Sequence, residues 1–522
     1  MIASLLQPQA YDHPVQTVRL LETHLSWILL TGDWAYKLRK PVNLGFVDLR
    51  SQAARRHCAE EELRLNRRLC PDLYVALRPV YGPPQMATLV SPAWGDALAD
   101  SVLDVAVQMH QFEQHDLLPA RLKQHPPERS LWIDLADRLA GFHGAAAIAT
   151  PGQIWGSPDA VLEPALANLD VLERFDPVSL AETGLRSWTL QEHQRLTELF
   201  RSRQFSGRVR EGHGDLHLGN LVVRAGRIDA FDCLEFSPAL RWIDVISDLA
   251  FLVMDLQHHG ETAVAVIVLN RWLQNTGDYR GLWLWRWYLV YRALVRAKVA
   301  ALRQKTQPTS TESDRPWTMA INTYRGLASR MINQPRGAMV ITHGVSGTGK
   351  SWLSSRLCEQ LGWIHLRSDI ERRRRFGRWG QCPEATITEG DAYADDITEW
   401  LYGKQLPELA EAISAAGFGV IIDATFLTRH QRDQFKKRAL SCGAGFFILD
   451  CQGQVHQALR RMESRRQVGK DPSEADETVL QSQMNRLEPL SDQECRLALE
   501  GGEPIPWVAD GLLHALELKT TR

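Results

Sequence analysis

The chain has 522 residues, well past the size at which one hydrophobic core keeps growing, so two or three domains are expected. Hydrophobic residues at 44% and charged residues at 23% exclude wholesale disorder, and a formal net charge of −2 excludes a global electrostatic bias toward nucleic acid, membrane or acidic substrates. The eight cysteines are scattered, with no Cys-x-x-Cys pair and no zinc-ligand spacing, which predicts a reduced, cytoplasmic setting. Met1 to Pro14 lacks the basic start and continuous apolar core of a secretory signal. The most apolar helical stretch, Leu282 to Leu302, is broken by Arg286, Arg292, Arg296 and Lys298, so it predicts a core helix and no membrane partner.

In chain order, Leu25–Leu30 and Trp34–Leu38 read as short strands joined by Thr31-Gly32-Asp33, and Ser51 to Leu69 as a helix capped by Ser51. The stretch from about 95 to 205 is mostly helical by pattern, broken at Pro126-Pro127 and Pro151-Gly152. The loop Gly212–Asn220 follows, then β runs at Leu221–Arg224 and Arg227–Phe231, then helices to about residue 304. Gln304 to Pro316 has the polar, proline-bearing composition of an exposed connection. Strands at Ala338–His343, Val420–Ile422 and Phe446–Leu449, alternating with helical patterns, predict a parallel sheet covered on both faces. The domains expected are therefore 1–305, a linker at 306–336, and 337–522.

In the third segment, Gly344-Val345-Ser346-Gly347-Thr348-Gly349-Lys350-Ser351 lies between an apolar strand and the helical stretch Trp352–Leu361. Gly344, Gly347 and Gly349 let successive N–H groups point at phosphate oxygens, Lys350 reaches the β- and γ-phosphates of ATP, and Ser351 helps hold Mg2+. The helix N-terminus adds its dipole. Val420 to Asp423 reads as a buried strand delivering a carboxylate to the magnesium, with a helix-capping role for Asp423 as the alternative. The segment Arg367-Ser368-Asp369-Ile370-Glu371-Arg372 resembles that of small-molecule and polynucleotide P-loop kinases of AAA-type ATP binding, including relatives of zeta toxins. That resemblance implies Asp369 as catalytic base and Arg372 as a phosphate or acceptor contact; from the residues alone, Asp369 could equally cap the next helix. Arg461 and Arg465, four apart on a predicted helix, are candidates for a lid over phosphates or for a solvated face, and the stretch through Lys470 and Asp471 resembles the family's lid. The run Arg372 to Arg375 raises nucleic acid as a partner, an alternative that the lack of interleaved aromatics beyond Phe376 and Trp379 disfavours.

The first segment carries His213-Gly214-Asp215-Leu216-His217-Leu218-Gly219-Asn220. This matches His-Gly-Asp-x-His-x-x-Asn, the catalytic loop of the aminoglycoside phosphotransferase and choline kinase group, and the resemblance implies an α+β, bilobal, protein-kinase-like fold. Asp215 as base and Asn220 as magnesium ligand have the separation used in protein kinases. Twelve residues on, a hairpin returning to the loop would place Asp232 on the same magnesium. Lys37 and Glu62 are the expected phosphate-binding lysine and its ion-pair partner, with Lys40, Glu60 and Glu61 competing. No Gly-x-Gly-x-x-Gly loop precedes Lys37, so phosphate cover must differ from protein kinases. Thr23 to Lys37 together with Leu65 to Leu69 resembles a bacterial family that fuses this domain to a P-loop kinase.

The expectation is a bifunctional phosphotransferase: an α+β kinase-like domain followed by an α/β P-loop domain, each moving the γ-phosphoryl group of ATP to a hydroxyl of a small-molecule acceptor. Two alternatives stand beside it, a nucleotide-sensing regulator with one pseudokinase domain and a C-terminal nucleic-acid 5′-hydroxyl kinase. Neither acceptor nor oligomeric state is legible.

Overall fold

The computed structural model describes residues 1–43, 45, 47–91, 102–150, 152–175, 181, 183–306, 315–332, 337–380, 390–468, 472–499 and 503–520, with side chains in all of these but 304–306, 315–318, 464–468 and 517–520. The chain divides into two compact units. Met1–Arg138, Ala145–Val161 and Glu198–Leu252 form the first; Leu139–Gly144, Leu162–Thr197 and Val253–Arg522 form the second.

The first unit is built on a five-stranded sheet of β1 (Arg19–Glu22), β2 (Ser26–Leu30), β3 (Trp34–Arg39), β4 (Tyr74–Tyr81) and β5 (Val102–His110), antiparallel in the order β1-β2-β3-β5-β4. The two-residue period of a strand sends alternate side chains to opposite faces. Leu29, Tyr36, Leu38 and Ala106 accordingly pack in one cluster, and Leu30, Ala35, Val105 and Val107 in another. The stretch expected to be mostly helical begins, among its described residues, with the central strand β5. Both of its faces are covered, so Asp104 to Met109 are all buried and no alternation marks them as a strand. Its one charge, Asp104, is paired with Arg55 at 2.7 Å. Strand β4 carries Pro79, which a central strand does not tolerate, and it lies at the sheet edge.

Helix Gln52–Asn66 begins where Ser51 Oγ accepts the N–H of Ala54 at 3.2 Å. Farther along, β6 (Val209–Glu211) pairs with β9 (Trp242–Asp244), and β7 (Leu221–Arg224) with β8 (Arg227–Ala230).

The second unit holds a five-stranded parallel sheet of β10 (Ala338–His343), β11 (Ile364–Arg367), β12 (Val420–Asp423), β13 (Gly445–Cys451) and β14 (Arg496–Leu499), in the order β11-β12-β10-β13-β14. The chain leaves β10 toward one side and later returns to the other, so the loop after β10 sits at the switch point where such sheets bind ligands. Val340, Ile421 and Leu449 from the strands are buried with Leu357, Val508 and Leu512 from helices Lys350–Leu361 and Ile505–Thr520. Val266 of helix Thr262–Thr276 joins this core. Among the described residues no helix is long and apolar enough to cross a membrane.

Candidate functional sites

In the first unit the helix phase selects among the competing acidic and basic residues. Lys37 Nζ lies 2.7 Å from Glu62 Oε1 and 2.5 Å from Asp232 Oδ1. Lys40 turns to Glu22, Glu60 to Arg56, and Glu61 to Arg64 and Arg241. Glu62 also accepts from Arg39, which reaches Glu235 at 2.5 Å, so two cations and three carboxylates interlock beneath the sheet. Burial pushes the Lys37 ammonium down, and the carboxylates of Asp232 and Glu62 more than reverse this. Burial likewise pushes the Asp232 carboxyl up, and Lys37 with Arg39 behind it draws it below the usual carboxylate range. Both members of the contact are therefore charged near neutral pH.

The loop Gly212–Asn220 is held from below. Asp248 of helix Val245–His258 accepts the N–H of His213 at 2.7 Å and of Gly214 at 3.0 Å. Asp244 ends β9 and pairs with Arg203 at 2.5 Å. Gly214 has φ 84°, and a Cβ there would meet the Leu240 carbonyl at 3.0 Å, so only glycine fits this turn. His213 accepts from Asp215 N on Nδ1 and donates from Nε2 to Phe231 O at 2.9 Å, the pattern of a neutral ring, and burial lowers its pKa. That bond ties the loop to the residue before Asp232. Asn220 Nδ2 donates to Asp215 O at 2.9 Å and to Asp215 Oδ2 at 3.1 Å, leaving its amide oxygen free of these contacts. The β7–β8 hairpin returns the chain to this point, and Asp232 takes a left-handed φ of 61°, rare for a non-glycine residue and typical of functional loops.

In the second unit β10 feeds the glycine loop and helix Lys350–Leu361. Gly347 has φ 85°, and a Cβ would come within 2.7 Å of the Ala458 carbonyl. Lys350 Nζ donates to Val345 O at 2.6 Å, Ser346 N donates to Gln483 Oε1 at 2.8 Å, and Arg461 from helix Val455–Val468 reaches Gly347 O at 3.4 Å. The Arg465 side chain, Lys470 and Asp471 lie outside the described residues. Asp423 ends β12 beside β10, is buried, and accepts from the Ser351 hydroxyl and His365, with Arg367 Nε in ion-pair range at 3.5 Å. Burial raises its pKa, and these partners, His365 foremost, hold it well below the usual carboxylate range.

Asp369 and Arg372 stand three apart on helix Ser368–Arg375 and form no ion pair with one another. Arg372 donates to Ala392 O at 2.7 Å, and its guanidinium lies 4.5 Å from the centre of the Tyr393 ring. The arginine run is not an open basic stripe. Arg374 is bonded to Glu371 and to Gln274 O, and Arg373 faces Glu474. Sequence reasoning missed His365, Arg39 and Glu235. A lone histidine inside an apolar strand is a visible signal; the Arg39–Glu235 contact joins residues far apart in sequence and leaves none.

Residues 339–490 match the family model described as an AAA domain. Over 465 residues the chain is 27% identical to the uncharacterized protein Rv2004c of Mycobacterium tuberculosis, with 87% of each chain covered. Among solved structures, an unliganded sugar kinase from Janibacter sp. is 22% identical, covers 35% of this chain and 95% of its own, and superposes with a TM-score of 0.26. The ethanolamine kinase of Plasmodium vivax is 8% identical and covers 60% of this chain and 82% of its own, with a TM-score of 0.35.

Proposed function

We propose that the chain is a cytoplasmic, bifunctional phosphotransferase in which each unit transfers the γ-phosphoryl group of ATP to a hydroxyl of a small-molecule acceptor. One observation, made in both units, supports this reading: a carboxylate at or just past the end of a β strand is tied to an element that carries a lysine. In the first unit Asp232 lies 2.5 Å from Lys37 Nζ, and the Asn220 amide oxygen is the second donor we assign. In the second, Asp423 accepts from the hydroxyl of Ser351, the residue after Lys350. Both donor sets fit magnesium, which prefers oxygen and is commonly held by one or two carboxylates with phosphates completing the shell. Bound there, it supplies charge neutralisation for the triphosphate.

Asp215 accepts the acceptor's hydroxyl proton in the first site and Asp369 in the second. The new bond joins the acceptor oxygen to the γ-phosphorus, the bond to the β-bridging oxygen breaks, and ADP leaves. Asn220 orients Asp215 through its Nδ2 bonds. Glu62 holds Lys37 toward the phosphates, and Asp248 fixes the loop from beneath. In the second site the glycine loop, Lys350 and Arg461 surround the phosphates, and Arg372 contacts the acceptor. The internal pairings of Arg373 and Arg374 favour a small acceptor over nucleic acid, which needs a continuous basic track.

The test is γ-labelled ATP offered with a panel of metabolites, aminoglycosides and oligonucleotides. Label transfer is expected, with Asp215→Ala and Lys350→Ala each abolishing a different part of it. Wild-type turnover by both variants with every acceptor would overturn the assignment.

A further inference from the structure

Strand β11 lies at the edge of the parallel sheet, where main-chain N–H and C=O groups are left without a strand to pair with. Helix Thr262–Thr276 meets this edge, and one side chain does there what a neighbouring strand would do. Asn270 Nδ2 donates to Trp363 O at 2.9 Å, and Asn270 Oδ1 accepts from His365 N at 2.7 Å. Gln274 Nε2 adds a longer bond to His365 O at 3.4 Å. Both polar main-chain groups of His365 are thus bonded to side chains of a single helix.

The ring of His365 is committed elsewhere. In the ladder His365 stands opposite Ile421, so Asp423, two residues on, is its diagonal neighbour on the same face of the sheet. His365 Nε2 lies 3.0 Å from Asp423 Oδ2, with both residues about 5% exposed. Arg367 Nε stands 3.5 Å from the same oxygen, and Ser368 Oγ donates to the Asp423 main-chain carbonyl at 3.0 Å. A carboxylate with one oxygen engaged by an imidazole that cannot itself move has little freedom to turn. Partners of this kind, one step removed from the metal, commonly alter its affinity by about 10- to 100-fold.

We propose that His365 is a positioning residue for Asp423, and that Asn270 is its anchor. The aim of the carboxylate at the P-loop site is then set from helix Thr262–Thr276, which precedes the 306–336 connection in sequence. This rests on the reading of Asp423 as a magnesium ligand. His365→Leu removes the donor, His365→Gln retains one near the place of Nε2, and Asn270→Ala releases the main chain of residue 365.

The experiment is calorimetry of the full chain with a non-hydrolysable ATP analogue, with and without magnesium, in an Asp232→Asn background that silences the metal site of the first unit. The readout is the gain in affinity on adding magnesium. His365→Leu is expected to cut that gain about tenfold while leaving the magnesium-free affinity unchanged, with His365→Gln restoring most of it and Asn270→Ala lowering it by a smaller factor. An unchanged gain in His365→Leu, or an equal loss in His365→Gln, would overturn the proposal. If His365→Leu does not fold, Asn270→Ala carries the test, and a wild-type gain there overturns it. A gain on adding magnesium that survives Lys350→Ala in the same background would instead remove the P-loop reading itself.

Discussion

The two lysines assigned to phosphate are stored differently. Lys37 sits between two carboxylates, Glu62 and Asp232, at 2.7 and 2.5 Å, with Arg39 and Glu235 extending the network. Lys350 donates to a main-chain carbonyl of its own loop, Val345 O, at 2.6 Å. On the proposed reading, admitting a magnesium nucleotide to the first unit would exchange the Lys37–Asp232 pair for contacts to phosphate and metal. In the second, Lys350 has a neutral main-chain partner at Val345 to release, and Asp423, the carboxylate proposed for magnesium, is already met by histidine, arginine and serine side chains. One site is thus organised by side-chain charge, and the other by backbone geometry and hydrogen bonds.

Four substitutions would break or sharpen that contrast. The largest effect is expected from Asp215→Asn, which keeps the shape and the Asn220 contact but removes the base; turnover at the first site should fall by about 10²- to 10⁴-fold with little change in nucleotide affinity, read by single-turnover label transfer. Next, Glu62→Ala leaves Lys37 and Arg39 buried with reduced compensation. Losing one partner of a buried pair costs about 3–5 kcal/mol, so the first unit should unfold at markedly lower denaturant concentration. Unchanged unfolding would show that the network is not a stabilising element.

Lys350→Ala should lower transfer at the second site by about 10²- to 10³-fold, the scale of one lost electrostatic contact to the transition state, and disturb unfolding less than Glu62→Ala does. The smallest effect concerns acid. Burial raises the pKa of Glu211, and Arg64 and Arg241 more than offset this, so its folded pKa lies below its unfolded value. Its contribution is fully present above the ordinary glutamate range and is lost as pH falls through the folded value. The protection of amides across residues 209–224, taken relative to intrinsic exchange at each pH, should therefore fall below about pH 4.3 in the wild type. A Glu211→Gln variant should show a flatter response.

Much of this contrast is legible in the sequence, for reasons that differ by element. The glycine loop and the His213 to Asn220 stretch are local: each packs its chemistry into eight residues, and the backbone conformations they need are visible as glycines. The hairpin that returns Asp232 is nearly local, because Ala225-Gly226, with φ of 45° and 74°, closes it in two residues. The choice of Glu62 among three consecutive glutamates is not local. It depends on the phase of helix Gln52–Asn66 against β3, and neighbouring positions on a helix point about 100° apart. Strand β5 hides because burial on both faces erases alternation. The anchoring of His365 hides because Asn270 lies 95 residues away, and an asparagine on a helix carries no mark of the strand it will imitate.

The central claim is that one chain holds two separate magnesium-nucleotide sites. Isothermal titration of the full chain with a non-hydrolysable ATP analogue and magnesium tests it most directly. Two binding events are expected, one removed by Lys350→Ala and the other weakened by Asp232→Asn. A single event, or two that neither substitution touches, would contradict it.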